Sequence, residues 1–395
     1  MIPARISSDA AFPAMRSPEA ATRARILYSY GWSHMDTGSP RALVSVVESL
    51  QASRFDPVFL AGQEGPLVSL LRDRGAEIAR GAAASVTFRR PWSALAAVRR
   101  QLLRLKSLRI DLLHLNEAGW NFDLVIAAAL RRIPVVLHIH NPVSIERRNV
   151  DWLLADRVVF VSQAQLASTK RLNIIERKSS VIYNAIDLGR FARGASLRGA
   201  LGLARDDFVV CIVSQISRRK GIDVLLDAAA SLIPRHANLV FLIVGPPARD
   251  EEVFADEMRA RAAERRFGGK VRFLGPRSDI PDVLASCDLF CHPARAEPLG
   301  MAVIEAMAAG LPVVASRVGG IPEIIHSPSV GSLVEPITGE SFANAIEQIM
   351  ARPDRGRAMG RAGSASLNGR FDPATMGAQW RDLYCGLLRD RRSRA

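Results

Sequence analysis

Short apolar runs alternate along this chain with longer stretches in which apolar residues recur at helical spacing. The runs at 24–30 (ARILYSY), 56–62 (DPVFLAG), 111–116 (DLLHLN), 134–141 (PVVLHIHN), 157–163 (RVVFVSQ) and 180–187 (SVIYNAID) are apolar at most positions. Strands buried on both faces read this way. Between them lie PRALVSVVESLQ, which follows the polar loop GWSHMDTGSP, then GPLVSLLRDRG, and an apolar helix around 124–130. After 204 the alternation starts again. Strands are predicted at 207–215, 238–245, 271–275, 288–293, 312–316 and 331–335, and helices over 221–233, 250–264, 280–286 and 301–309. Alternating strands and helices predict parallel sheets covered on both faces, an α/β chain of two doubly wound, Rossmann-like units in tandem. Periodicity lapses near 186–204, around LGRFARGASLRG, which marks the junction.

Length supports this division. The 395 residues exceed the roughly 250–300 at which single cores tend to split. The domains expected are 23–190 and 191–372, preceded by a mobile tail at 1–22 that lacks the apolar segment of a signal peptide. The longest apolar run, at 124–130, falls far short of the roughly 18 residues of a spanning helix. Cys211, Cys287, Cys291 and Cys385 form no CxxC pair, which fits a reducing, cytoplasmic compartment, with Cys211 as a small core residue.

Charge adds a partner question. The net charge is +14, and residues 1–190 hold 26 Lys and Arg against 16 Asp and Glu, whereas 191–395 hold 27 against 23. A basic first half suits nucleic acid, an anionic membrane surface or a phosphorylated substrate. Aromatic residues make up only 6% and no nucleic-acid motif appears, so no nucleic-acid partner is expected. The stretch 88–110 (FRRPWSALAAVRRQLLRLKSLRI) has seven basic residues and no acidic one. Its Leu95, Val98, Leu102 and Leu105 share a helix face away from most of the Arg residues, the pattern of an interfacial helix on an anionic membrane or of an ordinary domain helix with a basic outer side. Neither half has G-x-G-x-x-G after its first strand and no P-loop occurs, which argues against dehydrogenases and ATPases. There is no D-x-D triplet to hold a metal on a nucleotide diphosphate.

The candidate chemistry lies in EPLGMAVIEAMAAGLPVVASRVGGIPEII, 297–325. Glutamate is seldom buried without a partner. Here Glu297 precedes a glycine turn that follows a predicted strand, and Glu305 lies inside the apolar helix after that turn. Ligands of open α/β sheets gather beyond strand carboxyl ends. The free N–H groups at a helix N-terminus, here around Leu299, Gly300 and Met301, suit a diphosphate. Glu297 would then accept hydrogen bonds from sugar hydroxyls and Glu305 from a ribose diol.

This segment resembles the signature of retaining glycosyltransferases of the GT-B fold, the family 4 group. Glu297, Gly300, Glu305, AMAAGLPVVAS and the turn Gly319-Gly320-Ile321-Pro322-Glu323 stand where that signature has its two glutamates, its glycine turn and its GG-x-PE. The likeness extends along most of the chain. SQISRRKGIDVLLDA resembles the stretch that grips the donor diphosphate with an Arg and a Lys. Lys220 matches the Lys, and Gln215 stands in place of the Arg, with Arg218 or Arg219 as substitutes. YNAID (183–187) resembles N-G-[IV]-D near the linker, and GSP from Gly38 the glycine-rich loop after the first strand. LHIHN resembles the strand ending in a cleft histidine, His140, with His138 expected on the opposite side. FDPATMGAQWRDLYCGLL resembles a closing helix, so that 373–395 would pack back on the first domain.

The resemblance implies a cleft between two domains and transfer of a sugar from a nucleoside diphosphate, UDP first and GDP next, to a hydroxyl acceptor with retained configuration. It implies no cofactor and no metal. The acceptor would be a lipid-linked or polysaccharide intermediate of bacterial surface glycan synthesis, met at the inner face of the cytoplasmic membrane. The catalytic residues implied are His140, Lys220 and Glu297, and the donor contacts are Gly38, Gln215, Arg219, Lys220, Leu299, Gly300, Met301 and Glu305. Two alternatives keep the fold, a sugar-nucleotide 2-epimerase and an inactive module that binds a partner. A phosphorylase would want a longer chain and a lysine-bound pyridoxal group.

Overall fold

The structure, a computed structural model, describes residues 23–35, 38–51, 53–82, 91–119, 121–141, 150–169 and 177–393. The expected tail at 1–22 lies outside them. In the first half the strands are β1 (Ala24–Ser29), β2 (Phe55–Ala61), β3 (Glu77–Arg80), β4 (Leu112–Leu115), β5 (Val135–Ile139), β6 (Arg157–Phe160) and β7 (Ser179–Val181). The helices among them are α1 (Gly38–Leu50), α2 (Pro66–Asp73), α3 (Pro91–Ser107), α4 (Phe122–Leu130), α5 (Val150–Leu154) and α6 (Gln163–Ser168). The short α7 (Leu188–Ala192) follows the junction. The second half has β8 (Phe208–Val213), β9 (Leu239–Val244), β10 (Val271–Gly275), β11 (Leu289–His292), β12 (Val313–Ser316) and β13 (Ser332–Val334). Its helices are α8 (Ile222–Leu232), α9 (Glu252–Ala262), α10 (Ile280–Ala285), α11 (Met301–Ala308), α12 (Ile321–Ile324), α13 (Gly339–Met350) and α14 (Pro353–Ala365). The last helix is α15 (Pro373–Ser393).

The strands form two sheets, ordered β3-β2-β1-β4-β5-β6-β7 and β10-β9-β8-β11-β12-β13. The strand pairs are parallel throughout. Central strands carry apolar side chains on both faces because helices cover both. On one face of the first sheet, Ile26, Tyr28 and Val136 pack with α1 and α2. On the other, Leu27, Leu113 and Leu137 pack with Val98 and Leu105 of α3 and Leu124 and Ala128 of α4. The second sheet is sandwiched in the same way, with Val209 and Phe290 in one layer and Val210 and Phe241 in the other. Strand order reverses between β1 and β4 and again between β8 and β11, so each sheet has a switch point where a crevice opens beyond the strand ends.

Helix α15 crosses back to the first sheet, where Met376, Trp380, Tyr384 and Leu387 join the core that α1 lines. Tyr384 hydroxyl and His114 Nδ1 are hydrogen bonded (2.5 Å), and the Trp380 ring packs on His114 and His138.

Several expectations need correction. The strand expected over 180–187 ends at Val181, and the rest is the linker. Edge strand β3 escapes the sequence pattern because its four residues include Glu77 and Arg80. The apolar face expected on α3 is largely domain core, since Val98 and Leu105 are buried on the sheet and Leu102 packs beside them. Leu95 instead points outward, 60% exposed. His138 and His140 do not face opposite sides. Two residues apart on a strand, they share a face, and their rings lie 4.0 Å apart.

Candidate active site

At the second switch point, β11 ends at His292 and the chain turns through Glu297–Gly300 into α11. Gly300 has φ 113°, a conformation that L side chains rarely adopt. Behind the turn lie the two glycines of GG-x-PE. A Cβ on Gly319 would sit 1.8 Å from the Glu297 carbonyl oxygen, and one on Gly320 2.6 Å from that of Pro298. Gly320 N–H donates to the Glu297 carbonyl (3.0 Å). The two motifs are thus one object, in which the bare glycine backbone props the turn. The Leu299 side chain is buried in the core and Met301 is partly buried against it.

Glu297 and Lys220 meet here. The Lys220 ammonium donates to Glu297 Oε2, and the two side chains are only 13% and 10% exposed. His292 Nε2–H donates to the same oxygen (3.0 Å). Burial alone would raise the Glu297 carboxyl. The Lys220 charge and the His292 hydrogen bond outweigh it and hold the group well below the usual carboxylate range. Burial pushes the His292 pKa down, with the Lys220 and Arg219 charges adding to it against the pull of Glu297. His292 therefore serves as a neutral donor with its proton on Nε2. Sequence reading missed it because a histidine ending a strand carries no mark of its own.

The basic stretch before α8 divides. Arg218 turns away, its guanidinium 4.6 Å above the Phe254 ring and 3.4 Å from Glu257. Arg219 stays at the turn and donates to the Ala296 carbonyl (3.2 Å). Of the two arginines, only Arg219 thus has its guanidinium bonded at the turn. Gln215 follows β8, half-buried. Arg295 clamps both Asp223 oxygens (2.8 and 2.7 Å) and the Arg218 carbonyl (2.7 Å), which fastens this stretch to the turn.

Glu305 lies in the second turn of α11, 9% exposed. Burial pushes its carboxyl up to about 7, although the charges of Arg41 and Arg190 act against this. Arg41 belongs to α1 of the first domain. It was not singled out in the sequence, since only its place just after Gly38 and Ser39 hinted at the cleft.

Across the cleft, His140 follows β5 and donates from Nε2 to Asn116 Oδ1 (3.0 Å). Asn116 in turn donates to the Ser39 carbonyl at the start of α1 (3.1 Å). Burial pushes the His140 pKa down to about 3, so the ring is neutral. His140 is thus joined through Asn116, which carried no mark in the sequence, to Ser39, the residue after Gly38. No hydrogen bond links His140 to Lys220 or Glu297 among the described residues. A Cβ on Gly38 would meet nothing within 4 Å, so no packing requires that glycine. The two domains touch directly where Arg249, beyond β9, lies 4.9 Å over the Trp32 ring, beyond β1. Ser162 also donates to the Pro298 carbonyl (2.5 Å).

Residues 195–365 match the family model described as glycosyl transferases group 1, and residues 37–190 that of glycosyltransferase family 4. A D-inositol 3-phosphate glycosyltransferase of Segniliparus rotundus is 32% identical over 246 residues, 60% of this chain and 52% of that protein. One from Actinosynnema mirum is 34% identical over 184 residues, 45% of this chain and 44% of that protein. The chain spans about half the length of the curated relatives it matches. Among solved structures, Anabaena Alr3699/HepE in complex with UDP-glucose superposes with a TM-score of 0.77 at 25% identity, over 92% of this chain and 99% of that one. A glycosyltransferase from Rickettsia africae gives 0.83 at 19% identity, over 93% and 99%. These likenesses establish the two-domain GT-B fold.

Proposed function

Since this chain belongs to the group 1, family 4 type of glycosyltransferases, we propose that it moves a sugar from a nucleoside-diphosphate sugar to a hydroxyl acceptor, with retained configuration and without a metal. The observation that carries the reading is the Lys220–Glu297–His292 cluster at the N-terminus of α11. As the donor bond breaks, charge builds on the leaving diphosphate. Lys220, Arg219 and the first N–H groups of α11 are preorganised to stabilise it, commonly the largest catalytic term. A carboxylate paired with Lys220 and held far below its usual range is a weak nucleophile and a weak base. Glu297 therefore binds sugar hydroxyls, and the leaving phosphate takes the acceptor proton in a same-face displacement. Neutral His140 supplies a hydrogen-bonding group on the acceptor side.

UDP is the expected nucleotide, supported by the Anabaena structure with UDP-glucose. GDP is the next choice. For the acceptor we favour a lipid-linked or polysaccharide intermediate, because α3 presents Trp92, Leu95 and Leu103 outward at 82%, 60% and 59% exposure beside Arg99, Arg100 and Lys106. Such a face suits peripheral contact with anionic lipid at the inner side of the cytoplasmic membrane. No helix among the described residues is long and apolar enough to cross a membrane. The relatives' name favours a second acceptor, a phosphorylated inositol.

Calorimetry with UDP, GDP and ADP, with and without EDTA, tests the donor reading. One nucleotide should bind whether or not EDTA is present, and Glu305→Ala should abolish the binding. If none of the three binds, the inactive partner-binding module becomes the better reading. Conversion of the donor to an epimeric UDP-linked sugar with no acceptor present would favour the epimerase.

A further inference from the structure

Glu323 closes the GG-x-PE turn, yet its carboxylate makes its hydrogen bonds away from the donor turn. Its two oxygens accept the N–H groups of Gln163 (2.9 Å) and Ala164 (2.7 Å), which open α6 in the first domain. First-turn N–H groups have no acceptor within their own helix, so Glu323 supplies one from the other domain. The Tyr183 hydroxyl, in the outgoing linker, donates to the same carboxylate (2.8 Å). Burial and the Glu323 bond push that phenol up to about 12, so it remains a donor at any physiological pH. Arg370, in the returning linker, donates to the Glu323 carbonyl. The linkers also bond each other, Ile186 N–H to the Phe371 carbonyl (3.1 Å).

One residue thus gathers a first-domain helix, the linker leaving that domain and the segment returning to it. The same residue is rigidly tied to the donor turn. It belongs to α12, which Gly320 joins to the Glu297 carbonyl, and the neighbouring Ile324 lies beneath Gly300. Ser162, the cap of α6, adds the direct bond to the Pro298 carbonyl. Any rotation of the first domain against the second must break or carry the Glu323 bonds.

We propose that Glu323 is a positioning residue: the pin of the domain junction, which fixes the first domain, and the acceptor it carries, against the Glu297–Gly300 turn. Charge-assisted hydrogen bonds of this length are the strong ones, and three of them converge on one carboxylate. The effect on turnover rests on the transfer activity proposed above. The geometry of the junction does not.

The test compares wild type with Glu323→Ala and Tyr183→Phe by small-angle X-ray scattering, UDP calorimetry and release of UDP from UDP-glucose. For Glu323→Ala we expect a larger radius of gyration and a broader distance distribution. UDP affinity should stay within about twofold of wild type. The rate of UDP release should fall about tenfold, in kcat and not in KM for the donor. Tyr183→Phe should move the same quantities in the same direction by less. Should Glu323→Ala not fold, Glu323→Gln takes its place with the same expectations. A loss of UDP affinity that parallels the loss of turnover would make Glu323 a donor ligand and overturn the proposal. So would unchanged scattering. The scattering needs no nucleotide, so it still decides the junction if UDP is not the donor.

Discussion

Lys220 and Glu297 form a buried ion pair, with His292 donating to the same carboxylate oxygen. Removing one partner of such a pair leaves an uncompensated charge, at a cost of about 3–5 kcal/mol. Lys220→Met should therefore lower stability by about that much in urea unfolding, besides lowering turnover by one to two powers of ten through a lost charge-assisted hydrogen bond of about 1.5–3 kcal/mol. The double variant Lys220→Met, Glu297→Gln leaves neither charge and should be more stable than Lys220→Met alone. Additive losses would mean that the pair is not coupled.

The ribose contact proposed for Glu305 would give nucleotide binding a pH dependence. Its folded carboxyl titrates at about 7, above the ordinary value of 4.5, because burial disfavours the charge. The stability this contributes is complete below 4.5 and is lost as pH rises through 7. Glu305→Gln should therefore raise the melting temperature at pH 8 and leave it nearly unchanged at pH 4.5. The gain at pH 8 is about 3 kcal/mol at most, from about 1.4 kcal/mol per pH unit. A ribose diol donates to the carboxylate form, so UDP affinity in the wild type should rise from pH 5.5 to 7.5. Calorimetry on Glu305→Gln should give a flat profile.

The histidine cluster beneath α15 predicts acid sensitivity. His114 and His140 are pushed down to about 3, and His138 well below its usual value, all chiefly by burial. Each ring is neutral when folded and charges at about 6.5 when unfolded. The stability is therefore present above 6.5 and lost as pH falls towards 3, at up to about 1.4 kcal/mol per unit for each ring. Neither nitrogen of His138 has a hydrogen-bond partner among the described residues. His138→Phe keeps the ring packing on Trp380 and removes two unsatisfied polar atoms. It should match or exceed wild-type stability at pH 7 and lose less between pH 6.5 and 5, as read from melting temperatures.

The outer face of α3 predicts lipid binding. The protein should sediment with phosphatidylglycerol vesicles at low salt, much less with phosphatidylcholine, and release as salt screens the Arg charges. Trp92→Ala with Leu95→Ser should weaken the binding at least tenfold without lowering the melting temperature, because both side chains are exposed. Equal sedimentation of this variant and wild type would remove the membrane from the functional reading.

The amino-acid order by itself determined what depends on near neighbours. Strands buried on both faces announce themselves as apolar runs, and the parallel architecture follows from their alternation with helices. The turn from Glu297 through Gly300 into α11 was legible for the same reason. Glu297, Gly300 and Glu305 lie within nine residues, and a glycine turn into a helix exposes its first N–H groups through local backbone geometry, with Gly319 and Gly320 close behind in the chain to prop it.

Tertiary packing decided what joins distant segments. Helical periodicity divided α3 into apolar and basic sides, but only the position of the sheet made Val98 core and left Leu95 outside. His292 became a partner of Glu297 because the turn folds back on its own strand. Arg41 reaches the field of Glu305 only because the two sets of strand ends face each other. Glu323 could be read as the end of a motif, yet its partners Gln163, Ala164 and Tyr183 lie 140 to 160 residues earlier. A hydrogen bond over such a separation has no local pattern to betray it, since only the packing of the two domains brings its donor and acceptor together.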